Sequence, residues 1–143
     1  MFETILLAVD EHEDPDHLLA VISALGTAFS SHVVVLHLRE RRVLADKSIE
    51  AESIREAHAL GRRIVEHLAA EGVQASAEVE NTRPDLVGPR ILQKAAELGA
   101  DLIVIGGHHP HSVKERLLGD IGKVLAHGAH CPVLLMPSPS AHD

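Results

Sequence analysis

Five short apolar runs punctuate the chain: Thr4 to Val9, Val33 to Leu38, Val73 to Val79, Leu102 to Ile105 and Val133 to Met136. Four of them are near-continuous stretches of Val, Ile and Leu, the pattern of strands buried on both faces; Val73 to Val79 alternates weakly. Between the runs the apolar period changes to three and four, which predicts helices. Leu18, Leu19, Ile22, Leu25 and Phe29 mark the first, with Asp16 as its cap. Ile54, Ala57, Gly61, Ile64 and Leu68 mark a long amphipathic second helix that Gly72 ends. Ile91, Leu92, Ala95 and Leu98 mark a third, closed by Gly99, and Ile121, Val124 and Leu125 a fourth, capped by Asp120. The charged segment Arg39 to Ser53 reads as a loop leading into the second helix, and Glu80 to Pro84 as a turn. Entry to the third helix has two readings. Pro89 sits in the first turn at no cost if the helix starts just before it, and kinks a helix that starts at Asp85.

Strand, helix, strand is a βαβ unit, which implies parallel pairing and a right-handed crossover. The alternation therefore predicts a single α/β domain over residues 1–137: one open, mostly parallel five-stranded, Rossmann-like sheet with helices on both faces. Residues 138–143 read as a flexible tail. Such sheets bind ligands beyond the carboxyl ends of strands, near the point where strand order switches. Asp10, Leu38 and Gly106 fall at predicted carboxyl ends. After the strand Leu102 to Ile105 come the pair Gly106-Gly107, a cationic loop and the helix start at Gly119-Asp120-Ile121. Turn glycines followed by a helix N-terminus let backbone N–H groups face an anion, so this stretch is a candidate phosphate site. Each glycine is also ordinary turn chemistry, and Asp10 is equally a cap for its own turn and an acceptor for ribose hydroxyls.

Composition narrows the function. With 45% hydrophobic residues, no Trp or Tyr, and only Phe2 and Phe29 as aromatics, the core is aliphatic and offers no stacking platform for bases. A net charge of −8 opposes polyanion binding, so nucleic acid is not an expected partner. Cys131 is the lone cysteine, which excludes an intrachain disulfide and suits a small core residue. No signal peptide or membrane span is apparent, and a cytoplasmic protein is expected. Twelve histidines include His108, His109 and His111 in one loop, with His127 and His130 further on. The cluster suits a divalent metal such as Zn²⁺, or simply a solvated surface, and matches no specific zinc spacing. No nucleophile elbow or complete Walker loop is present, and Ser112 has no positioned acid in view, so an enzyme is not expected. Val133 to Met136, flat, apolar and last in the sheet, predicts a homodimer that extends the sheet across this edge.

From ILLAVD near the start to CPVLLMP near the end, the chain resembles the universal stress proteins. That family carries, after its fourth strand, a glycine, two residues, a second glycine, nine residues, then glycine and a serine or threonine. Gly106 and Gly119 take the first and third positions, while His109 and Asp120 stand at the second and fourth. The resemblance implies the strand order 3-2-1-4-5, a fold similar to the adenine nucleotide alpha hydrolases, and a bound adenine nucleotide, ATP or AMP. It would place Asp10 and the backbone of Leu38 at the adenine and ribose. Gly106, Gly107, His109 and the corner Gly119-Asp120-Ile121 would line the phosphates, with Ala8, Val9, Ile105 and His108 flanking. Slow ATP hydrolysis enters only by this resemblance. The two departures count against ATP. A non-glycine residue forced to positive φ costs about 1 kcal/mol or more, and Pro110 pushes His109 towards extended backbone. A carboxylate at the hydroxyl position repels phosphate, which Lys114, Arg116 and Lys123 would offset in part. The expectation is thus a regulatory or protective binding module that holds an adenine nucleotide. The alternative is a nucleotide-free interaction protein whose histidine loop binds a divalent metal.

Overall fold

The computed structural model describes residues 1–9, 15–44, 47–50, 54–105 and 121–136. Its centre is β1 (Thr4–Val9), which pairs in parallel with β2 (His32–Leu44) on one side and β5 (Leu102–Ile105) on the other. β4 (Gln74–Thr82) lies parallel along β2, and β6 (Val133–Leu135) parallel along β5. The parallel sheet therefore runs β4-β2-β1-β5-β6, the expected 3-2-1-4-5 order when the strands are counted as the sequence predicts them. The remaining strand, β3 (Lys47–Glu50), pairs antiparallel with residues Arg41 to Leu44 of β2. This hairpin corrects the loop expected over Arg39 to Ser53. The charged residues there hide the strand from any test of hydrophobic pattern, since backbone pairing to β3 and β4 defines it. β4 likewise continues to Thr82, through part of the expected turn, because β2 offers it a ladder partner as far as Glu40.

The helices α1 (Pro15–Phe29), α2 (Ile54–Ala70) and α3 (Val87–Leu98), with the helical residues 121–128, connect these strands. Alternation of side chains along the central strands builds two cores. Ile5, Leu7, Val9, Val33, Val35, Leu102 and Val104 meet Leu18, Leu19 and Ile22 of α1 and Ile64 and Leu68 of α2. On the other face Leu6, Ala8, Val34, Leu36, Leu38, Ile103 and Ile105 meet Ile91 and Ala95 of α3 and Leu125 of residues 121–128. Each large aliphatic side chain so buried contributes about 1.5–3 kcal/mol. Helix α1 begins at Pro15, so Asp16 lies inside its first turn rather than before it. A 3₁₀ turn, Pro84–Leu86, leads into α3, and Pro89 falls in the first turn of that helix, where its missing N–H is harmless. Gly99 ends α3 in the left-handed conformation at φ 65°, which glycine adopts without strain.

Two polar devices fix the edges and ends of this frame. At the amino ends of β1 and β5, the Asp101 carboxylate accepts the N–H groups of Glu3 (Oδ2, 3.0 Å) and Thr4 (Oδ1, 3.0 Å), while its own N–H donates to the Thr4 carbonyl at 2.9 Å. Burial works against the Asp101 charge, yet the N–H groups around it outweigh burial and hold the carboxyl below its ordinary range. At the β4 edge Arg90 of α3 forms a bidentate pair with Glu80, Nε and Nη2 donating at 2.5 and 2.8 Å, and Lys94 donates to Glu78. The Arg90 hydrogen bonds depress the Glu80 carboxyl and raise the guanidinium in turn. The opposite edge has a different character. β6 is short and apolar, and Leu135 there is 45% exposed.

Candidate functional site

The chain leaves the central pair of strands in opposite directions. From β1 it passes through α1, on one face of the sheet, to β2; beyond β5, residues 121–128 pack on the other face and the next strand is β6. The carboxyl ends of β1 and β5 therefore flank the switch in strand order, where an open α/β sheet forms its ligand crevice. Register makes these ends level. Ala8 lies between Leu36 and Ile105, and Val9 opposite His37.

Of the residues expected at the site, Ala8, Val9, Leu38, Ile105 and Ile121 are described. Ala8, Leu38 and Ile105 are buried on the α3 face and gather with the half-buried Ile121 in one cluster; Val9 is buried on the α1 face. Their side chains are committed to the core, so any ligand at this level meets their backbone. Leu38 is not the carboxyl end of its strand, since β2 runs on to Leu44, but it lies one residue past the partner of Val9 and so keeps its place at the crevice. Asp10, Gly106, Gly107, His108, His109, Gly119 and Asp120 lie outside the described residues, as do His111 and Ser112. His127 and His130 are exposed, and among the described residues no group of three metal-capable side chains forms.

Two polar residues at this end escape a reading of the sequence for site motifs. His37 is fully buried within the run Val33 to Leu38, and its Nδ1 stands 3.2 Å from the Val9 carbonyl oxygen. A carbonyl can only accept, so Nδ1 carries the proton. Arg39 is 4% exposed, and its Nη1 donates to Asn81 Oδ1 at 2.7 Å, across the β2–β4 ladder where the two residues are register partners. The signal was available: a histidine followed two residues on by arginine, closing an apolar strand, is a pair of polar groups that burial obliges to find partners. Cys131 is half-buried, and burial, with Asp101 nearby, pushes its thiol up, as suits an unreactive packing residue.

Level parallel strand ends and helices on opposite faces define a doubly wound α/β domain, a class whose ligands bind beyond such strand ends. The sequence profile of the universal stress protein family matches residues 1–137, and the chain belongs to that family. The universal stress protein YxiE of Bacillus subtilis is 27% identical over 150 aligned positions, covering 95% of this chain and 99% of that one. A solved universal stress protein family member from Burkholderia pseudomallei superposes with a TM-score of 0.63 at 26% identity, covering 96% of this chain and 97% of the other. A second, from Archaeoglobus fulgidus in complex with dAMP, superposes at 0.66 with 22% identity over 94% of this chain and 98% of that one, a likeness of fold. Among the described residues no helix is long and apolar enough to cross a membrane.

Proposed function

We propose that this universal stress protein is a regulatory or protective binding module that takes an adenine nucleotide, AMP or ATP, beyond the carboxyl ends of β1 and β5. The observation that carries the reading is the switch point itself, with Ala8 and Ile105 paired across it and Leu38 beside it. The Archaeoglobus relative of the same fold, solved with dAMP, supports adenine as the base. Asp10 and the Leu38 backbone take adenine and ribose in this reading, and Gly106, Gly107 and Gly119 take phosphate. The nucleotide is a ligand, not a substrate. The module pairs with a second copy through β6, whose apolar outer edge has no strand partner among the described residues.

The test is to denature protein purified without added nucleotide, analyse what is released, and titrate the native protein with AMP and ATP by calorimetry. Released adenine nucleotide or micromolar binding supports the reading. A blank in both refutes it and favours a nucleotide-free interaction protein remade at His109 and Asp120. Sedimentation at tens of micromolar tests the pairing, and a monomer there sinks it.

A further inference from the structure

His37 occupies a position that the nucleotide reading does not use. Its imidazole is fully buried, and it donates from Nδ1 to the carbonyl of Val9, the last residue of β1. A buried imidazole is a costly choice in a run of Val and Leu, where another aliphatic residue would pack without needing any polar partner. Its partner is the telling part. The register that pairs Val9 with His37 already brings the Leu38 N–H to the Val9 oxygen, so the imidazole is a second donor on one carbonyl, at the last rung of the ladder. Because the peptide unit is planar, two donors on the Val9 oxygen, one in the sheet and one from the imidazole, hold the last carbonyl of β1 more firmly than the ladder alone. The His37 backbone is itself fixed, since the residue pairs with Val9 on one side and with Val79 on the other.

We propose that His37 is a positioning residue for the ligand crevice: its Nδ1–H holds the last carbonyl of β1 and thereby sets the strand end that receives the adenosine part of the nucleotide. The inference rests on the nucleotide reading. His37 touches no ligand in this scheme. It acts through the Val9 peptide, to whose oxygen it adds a donor.

Two substitutions separate that role from simple packing. Asparagine places an amide N–H where Nδ1–H stood, while His37→Leu fills similar space with no donor. Folded His37→Leu protein, checked by circular dichroism, should bind AMP roughly fivefold more weakly, as for the loss of one buried hydrogen bond. His37→Asn should stay within about twofold of the unaltered protein, because the donor is restored. Wild-type affinity in His37→Leu, or equal losses in the two variants, overturns the positioning role while leaving the nucleotide reading intact. Failure of the unaltered protein to bind AMP or ATP overturns both. Should His37→Leu not fold, the unaltered protein carries the test. With ¹⁵N-labelled histidine, the His37 ring should appear as the Nδ1–H tautomer with a slowly exchanging proton, and its resonances should shift at saturating AMP. The opposite tautomer, or resonances that do not move, refutes the proposal.

Discussion

Asp101→Ala deletes a carboxylate that ties the start of β5 to the start of β1. The structure gives two bonds to lose, one to the part-buried Thr4 N–H and one to the exposed Glu3 N–H, each 3.0 Å. A shielded hydrogen bond to a charged group contributes about 1.5–3 kcal/mol, and the exposed one, in competition with water, about 0.5, so the loss comes to about 2–3 kcal/mol. In a chain of this size that lowers the melting temperature by roughly 5–10 °C. Asn at this position keeps one acceptor oxygen and should lose about half as much. The pH dependence has a definite sign. Asp101 titrates lower in the folded protein than its unfolded value of about 3.9, so its contribution is fully present above that pH and fades as pH falls through the folded pKa. Urea unfolding of both proteins at pH 7 and pH 3 is the assay: the gap in midpoint should be smaller at pH 3 than at pH 7. A variant that unfolds with the wild-type midpoint at pH 7, or one equally handicapped at both pH values, would refute the account of Asp101 as a charged tie.

Arg90→Met should cost about 1 kcal/mol, because the bidentate pair with Glu80 is partly shielded from solvent, the two side chains being 25% and 24% exposed. Since the Glu80 carboxyl is depressed, that cost should also fade in acid, below about pH 4.3, and a melting curve identical to wild type at pH 7 would count against it. Gly26→Ala should destabilise by about 1–3 kcal/mol even though alanine favours helix, because its Cβ would stand 2.7 and 3.1 Å from the two methyls of Val73, a side chain stiff at χ1. Adding Val73→Ala should recover most of the loss; a double variant no better than the single one would point elsewhere. Cys131 should react with iodoacetamide at pH 8 several-fold more slowly than free cysteine, and Asp101→Asn should quicken it modestly, since burial is the larger cause of its raised pKa. A rate equal to that of free cysteine contradicts this.

The residues that burial governs were legible in the sequence. Thr4–Val9 and Leu102–Ile105 run as strands between the bounds that their apolar stretches suggest, because both faces of each are core. The face of α2 is equally plain: Ala57, Gly61, Ile64 and Leu68 are buried, and only Ile54, the first residue of the helix, is exposed instead. What pattern could not show is structure held by backbone pairing between charged residues. The hairpin of Arg41 to Leu44 with Lys47 to Glu50 belongs here, as does the continuation of β4 to Thr82. Near the strand ends, Ala8, Leu38, Ile105 and Ile121 gather in one core cluster, a neighbourhood that follows from strand order, since topology alone brings strand ends together. His37 carries no such signal of its role, because histidines close together in sequence, as from His108 to His111, suggest a site, while a single one inside an apolar run shows what it does only through the carbonyl that the fold brings beside it.

The unlike edges of the sheet bear on how copies of the chain can add to one another. On β4, Glu78 and Glu80 are engaged by Lys94 and Arg90 of the same molecule, and charged side chains along an edge discourage a foreign strand. On β6 the apolar edge invites one. Of the two edges of the parallel sheet only β6 is receptive, and when its neighbour is its twin, related by a two-fold axis, each uses the other's β6 edge and neither is left over. Pairing of that kind would saturate as concentration rises, where two receptive edges of the parallel sheet would allow open-ended fibre growth.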